Sequence, residues 1–166
     1  MPESDAYTIR PAQSSDAAFL VELHELPHAR EYFAVPQVEQ VERRIEGSDT
    51  EHWIVLKDDE CVGMVGFGEV TPWLFEIRIM LSKRQGRGVG SFAFEATLER
   101  IFEHHRAHRA YLEVHARNTI ARRLYERCGF TQEGIFRHGA RNPETGAFED
   151  LCAYGMLEDE YRSRRG

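Results

Sequence analysis

Apolar and polar positions along the 166 residues change period repeatedly, and each change marks an element. Residues 7–10 alternate with the period of two of a short strand. Across 11–26 the period lengthens. Phe19, Leu20, Leu23 and Leu26 fall on one helical stripe, with Ser15 or Asp16 near its start. A second helical stretch, 37–45, repeats Val38, Val41 and Ile45. Three strands follow, 52–57, 61–70 and 73–81, divided by turns at Asp58-Asp59 and Thr71-Pro72. Beyond a glycine-rich turn, Phe92, Ala93, Ala96, Leu98, Ile101 and Phe102 suit a long helix. A strand at 110–115, a helix at 118–128 and two closing strands at 131–138 and 148–157 complete the chain. The order β-α-α-β-β-β-α-β-α-β-β predicts a mixed α/β (α+β) sheet with helices on both faces. The strand before the glycine turn and strand 110–115 are joined by a crossover helix, so they should run parallel.

The turn itself reads Leu81-Ser82-Lys83-Arg84-Gln85-Gly86-Arg87-Gly88-Val89-Gly90-Ser91. A helix N-terminus leaves backbone N–H groups unpaired and carries a positive dipole end. Glycines there let an anion approach the bare backbone, and Arg87 adds a charge, so the turn suits a phosphate or pyrophosphate. The spacing alone is equally that of a glycine-rich turn without a guest. Neither G-x-G-x-x-G nor G-x-x-x-x-G-K-[ST] is present. The pattern that fits is Q-x-x-G-x-G, filled by Gln85, Gly88 and Gly90.

Composition narrows the class. Residues 1–166 read as a single domain, with an apolar share of 42% and a charged share of 30% that belong to an ordinary globular chain. No apolar run approaches the roughly 18–20 residues needed to cross a bilayer. The start MPESDAYTIR lacks a signal peptide's apolar core. Cys61, Cys128 and Cys152 are odd in number and far apart, which argues for reduced thiols and a cytoplasmic setting over disulfides or a metal site. A net charge of −7 disfavours nucleic acid and suits cationic substrates such as amines. The basic tail Arg162-Ser163-Arg164-Arg165 reads as a solvated end.

Residues 112–130 carry the second motif, L-E-V-x-x-x-N-x-x-A-x-x-L-Y-E-x-x-G-F. Locally, Asn118 suits a helix N-cap, Gly129 a left-handed helix end, and Ala121, Leu124, Tyr125 and Cys128 a buried stripe. Together the two motifs, in this order and spacing, resemble the GCN5-related N-acetyltransferase (GNAT) superfamily, especially the ribosomal-protein alanine N-acetyltransferases. The likeness is strong over 73–138 and extends to the flanks by element order.

The resemblance implies an acetyl-CoA-dependent N-acetyltransferase of the GNAT fold, with central parallel strands that splay. It acts on a primary amine, a protein N-terminus or a small molecule, and needs no metal. It assigns Gln85, Gly86, Arg87, Gly88, Val89, Gly90 and Ser91 to the coenzyme pyrophosphate. Asn118 goes to the pantetheine or pyrophosphate arm, and the backbone near Ile79 and Leu81 to pantetheine. Tyr125 becomes the proton donor to the departing thiolate. Glu113 and Glu76 are both candidate bases, and a water chain is a third. Residues 24–46 and 137–148 are expected to border the acceptor pocket, and 134–157 resemble the closing hairpin of protein N-terminal and small-amine acetyltransferases. In one departure, Ser82-Lys83-Arg84 is shorter than the family's strand-to-loop link and lacks its usual proline. A homodimer is compatible with the likeness. So is a non-catalytic acyl-CoA sensor on the same fold.

Other signals point to structure. His24-Glu25-Leu26-Pro27-His28 matches H-E-x-x-H, but Pro27 interrupts the helix that zinc ligation would require. His104, His105 and His108 suit a solvated helix end, Trp53 and Trp73 sheet packing.

Overall fold

The computed structural model describes residues 7–83, 86 and 88–166. Seven strands form one sheet in the order β1-β2-β3-β4-β5-β7-β6. They are β1 Tyr7–Pro11, β2 Glu51–Lys57, β3 Glu60–Thr71, β4 Leu74–Ser82, β5 Arg109–His115, β6 Thr131–Arg141 and β7 Phe148–Leu157. The helices are α1 Ala17–Glu25, α2 Pro27–Arg30, α3 Val38–Glu46, α4 Val89–Glu99, α5 Thr119–Arg127 and α6 Glu158–Arg165. Neighbouring strands are antiparallel except β4 and β5, the pair the crossover α4 joins in parallel.

Side chains alternate across the sheet into separate cores. Ile54, Met64 and Leu81 pack with Leu20, Leu23 and Val41 of α1 and α3. Val65, Phe67, Phe75, Leu112 and Val114 pack with Phe94 and Leu98 of α4, Leu124 of α5 and Tyr161 of α6. This is the two-faced mixed sheet that the element order predicts.

Several boundaries differ from the sequence reading, each for a local reason. Pro11 ends β1, and helix 11–26 is a 3-10 turn, Ser14–Asp16, followed by α1. Arg10 donates to both Asp16 carboxylate oxygens, at 2.7 and 2.8 Å, tying β1 to that turn. Leu26 is extended (φ −59°, ψ 138°), as the residue before a proline prefers, and Pro27 opens α2 at its first position. Asp58 and Asp59 both have positive φ (49° and 65°), as a tight primed hairpin turn requires. Arg162–Arg165 are exposed, as the sequence reading has it, but they stand on a helix, α6, that the sequence reading did not foresee. Tyr161 of α6 is buried and stacks on Phe102 at 4.8 Å, and Arg164 and Arg165 pair with Glu95 and Glu99 of α4.

Two side-chain readings also change. His105 is half-buried, 4.8 Å from the Phe75 ring and bonded to Glu51, just past a π-helical extension of α4 at Arg100–His104. Trp53 packs on the sheet and donates to Glu51 at 3.0 Å, whereas Trp73 is exposed in the β3–β4 turn.

Candidate active site

The parallel pair is short. Leu74↔Arg109, Phe75↔Ala110 and Glu76↔Tyr111 are in register, and the two strands then part. A bulge on β4 accompanies the parting: Gly66 of β3 faces Ile79 and Phe67 faces Ile77, so Arg78 is the extra residue. Beyond Glu76, the β4 edge that faces β5 offers backbone groups with no strand partner among the described residues. A cavity of about 950 Å³ fills this wedge.

One end of the cavity is built from backbone. Gly86, Gly88, Gly90 and Ser91 line it where α4 begins. Gly86 and Gly88 have φ of 72° and 80°, the left-handed region, which is why glycine stands at both. Gly90 serves a different purpose: a Cβ there would lie 2.8 Å from Leu124 Cδ2, so α4 and α5 approach closely. Among the described residues, Phe92 is the first α4 amide bonded back, to the Gly88 carbonyl at 3.0 Å. Within those residues the amides of Val89, Gly90 and Ser91 have no intrahelical acceptor, although Val89's side chain is buried in the core. No side chain caps this end among the described residues. Gln85 and Arg87 lie outside those residues. Asn118 caps α5, accepting from Ala121 N–H at 3.2 Å, and reaches the cavity as well. Arg123 and Arg127 of α5 also line the cavity. They were not singled out in the sequence.

Tyr125, Glu113 and Glu76 also line the cavity. The Tyr125 ring is packed 5.0 Å from Phe94 and 6.0 Å from Tyr154, and burial pushes its phenol well above the ordinary range. Its hydroxyl has no hydrogen-bond partner among the described residues. A phenol held protonated in this way can donate to an arriving group and cannot act as a base at neutral pH. On β5, Leu112 and Val114 face the α4–α5 core, so Glu113 and His115 face the other side, where α1–α3 lie. Glu76 is half-buried and accepts from Arg78 Nε at 3.1 Å. Glu113 is exposed and has no ion-pair partner among the described residues.

The opposite wall comes from α2 and the segment after it: His28, Glu31, Tyr32 and Phe33, with Ala140 and Leu151 from the closing hairpin. Sequence reading placed 24–46 and 137–148 here, and both contribute. His28 donates to the Ser82 carbonyl at 3.0 Å, and His24 to the Leu20 carbonyl at 2.7 Å, so the two histidines of H-E-x-x-H point to different partners. Arg117 spans the rim. It donates to the Glu31 carbonyl (2.7 Å), to the Glu31 carboxylate (3.3 Å) and to Glu149 (2.9 Å), and lies 4.4 Å over the Tyr32 ring. Glu149 also accepts from Asn142 (2.8 Å) and His115 Nδ1 (2.7 Å). Bonds from Asn142, Arg117 and His115 outweigh its desolvation and hold the carboxyl down at about 2.

Residues 7–131 match the family model described as the acetyltransferase (GNAT) domain. The chain belongs to the GNAT acetyltransferase family. The solved structures this GNAT protein resembles include mutant forms of the spermidine/spermine N-acetyltransferase SpeG from Vibrio cholerae. That match has a TM-score of 0.83 and 22% identity, over 96% of this chain and 98% of that one. The Vibrio cholerae spermidine N-acetyltransferase in complex with CoA and spermine also matches (TM-score 0.83, 22% identity, 94% and 98% covered). A GNAT-family acetyltransferase from Streptococcus pneumoniae aligns with a TM-score of 0.75 and 22% identity, over 92% of this chain and 99% of that one. At such identities the likeness carries the fold. The seven-stranded sheet with its parting central strands is the GNAT architecture.

Proposed function

We propose that this protein moves the acetyl group of acetyl-CoA onto the primary amine of a small cationic molecule, by direct attack of the amine on the thioester. One observation carries the reading. A single wedge between β4 and β5 joins a helix N-terminus that no described side chain caps, suited to pyrophosphate, to a protonated phenol and a carboxylate without an ion-pair partner among the described residues. The GNAT family model and the CoA and spermine of a fold neighbour support it.

In this reading Gly86, Gly88, Gly90 and Ser91, with Gln85 and Arg87, hold the pyrophosphate, and Arg123, Arg127 and Asn118 border the coenzyme arm. Pantetheine runs along the free edge of β4 near Ile79 and Leu81, where a backbone N–H polarises the acetyl carbonyl and then the oxyanion. An amine of pKa near 10 arrives protonated. Glu113 meets the ammonium and takes its proton, directly or through water. Glu76 is the weaker candidate because Arg78 occupies it. Nitrogen bonds to the acetyl carbon, the C–S bond breaks, and Tyr125 gives its proton to the thiolate.

Thiol release from acetyl-CoA with a panel of diamines, polyamines, amino sugars and N-terminal peptides tests the reading. Turnover with small cationic amines supports it. Turnover of peptides alone moves the acceptor to protein N-termini. Tight coenzyme binding without turnover of any amine makes the chain a sensor and removes the catalytic claim.

A further inference from the structure

We infer that His115, oriented by Glu149, is a proton relay that carries the acceptor's proton away from Glu113; this rests on the acetyl-transfer reading above. His115 lines the cavity and stands two residues beyond Glu113 on the same face of β5, so their Cα atoms are about 7 Å apart. The imidazole is not free to turn. Its Nδ1 bonds Glu149 at 2.7 Å, which puts the ring hydrogen on Nδ1 and leaves the Nε2 lone pair to accept. The Tyr32 ring, 5.2 Å away, covers it from the α2 side.

Charged and titratable groups from several elements stand near the ring. Glu149 comes from β7, Arg117 from the β5–α5 turn, Glu31 and Tyr32 from the α2 side, and Glu113 from β5 itself. Glu149 also binds Arg117 and Asn142, so the carboxylate that aims the imidazole is itself fixed from two more directions. The chemistry calls for such a partner. Carboxylic acids as a class titrate near 4 and aliphatic ammonium groups near 10, so a glutamate is a poor resting place for that proton, whereas imidazole, near 6.5, is matched to neutral pH. The proton balance is closed. The ammonium N–H bond breaks, its proton passes through Glu113 and water to His115 Nε2, and solvent takes it from the imidazolium beside Glu149. Tyr125 supplies the thiol proton, and the second N–H proton, released by the nitrogen as the adduct collapses to the amide, returns to Tyr125 through water.

The test uses the full chain and an amine that the wild type acetylates. His115→Gln should lower kcat roughly 10- to 100-fold with the KM for acetyl-CoA within about twofold. His115→Gly should recover a saturable part of the lost rate when imidazole is added. Glu149→Gln should lower kcat less, without rescue. Calorimetric binding of acetyl-CoA reports that each variant is folded, and His115→Asn replaces any that is not. Wild-type kcat in the His115 variants, or a loss that imidazole does not repair, overturns the relay while leaving acetyl transfer standing. If no amine is turned over by the wild type, both fall together.

Discussion

At the residue scale, the chemistry turns on side chains that differ in what they lack. Tyr125 has a phenol with no hydrogen-bond partner among the described residues, kept protonated by burial. Tyr125→Phe should therefore keep acetyl-CoA binding and lose roughly 10- to 100-fold in kcat, read by thiol release. Glu149 is the reverse case, with three partners that hold its carboxyl at about 2 against an ordinary 4.5. A depressed folded value means stability that is present above the unfolded value and is lost as pH falls through the folded one. Glu149→Gln should thus destabilise most at neutral pH, with the difference shrinking between pH 4.5 and 2, as urea titrations at several pH values would show. Legibility divides these two residues. Tyr125 and Asn118 stand at fixed spacing in one motif. Glu149 and His115 are 34 positions apart, and only strand pairing brings them together.

At the element scale, the N-terminus of α4 and the unforeseen α6 make separate predictions. Gly88 holds φ 80° with open space where a Cβ would lie. Gly88→Ala therefore costs roughly 1–2 kcal/mol of left-handed strain without a clash, while Gly88→Trp should block the anion site and abolish coenzyme binding by calorimetry. Helix α6 was hidden because eight residues carry one buried aromatic and no stripe. Tyr161 nonetheless closes the core under α4, so Tyr161→Ala should cost about 3–5 kcal/mol in urea unfolding. Strands and turns were easier to read than helix starts. Asp58-Asp59 announces its own backbone, whereas the entry into α1 depends on Arg10 reaching Asp16 and the entry into α2 on Pro27 opening a new helix.

At the scale of the molecule, strand order creates the site. Alternation and crossover length predict the parallel join of β4 and β5. They say nothing of β7 inserting between β5 and β6. That insertion sets His115 opposite Leu151, with Glu149 two residues earlier on β7, and brings the closing hairpin over the cavity. The bulge at Arg78 was equally unreadable, since it depends on the register with β3. A wedge held open by backbone geometry should take up its coenzyme without refolding. At 100 times its dissociation constant, acetyl-CoA should add about 2.7 kcal/mol to stability, seen as a thermal shift. The central claim, acetyl transfer from coenzyme to amine, is tested most directly by counting both products of one reaction. Mass spectrometry of the acetylated amine and titration of the released thiol should rise together in a one-to-one ratio, and both should fall in Tyr125→Phe. Thiol released without acetylated amine, or equal rates in wild type and Tyr125→Phe, would contradict it.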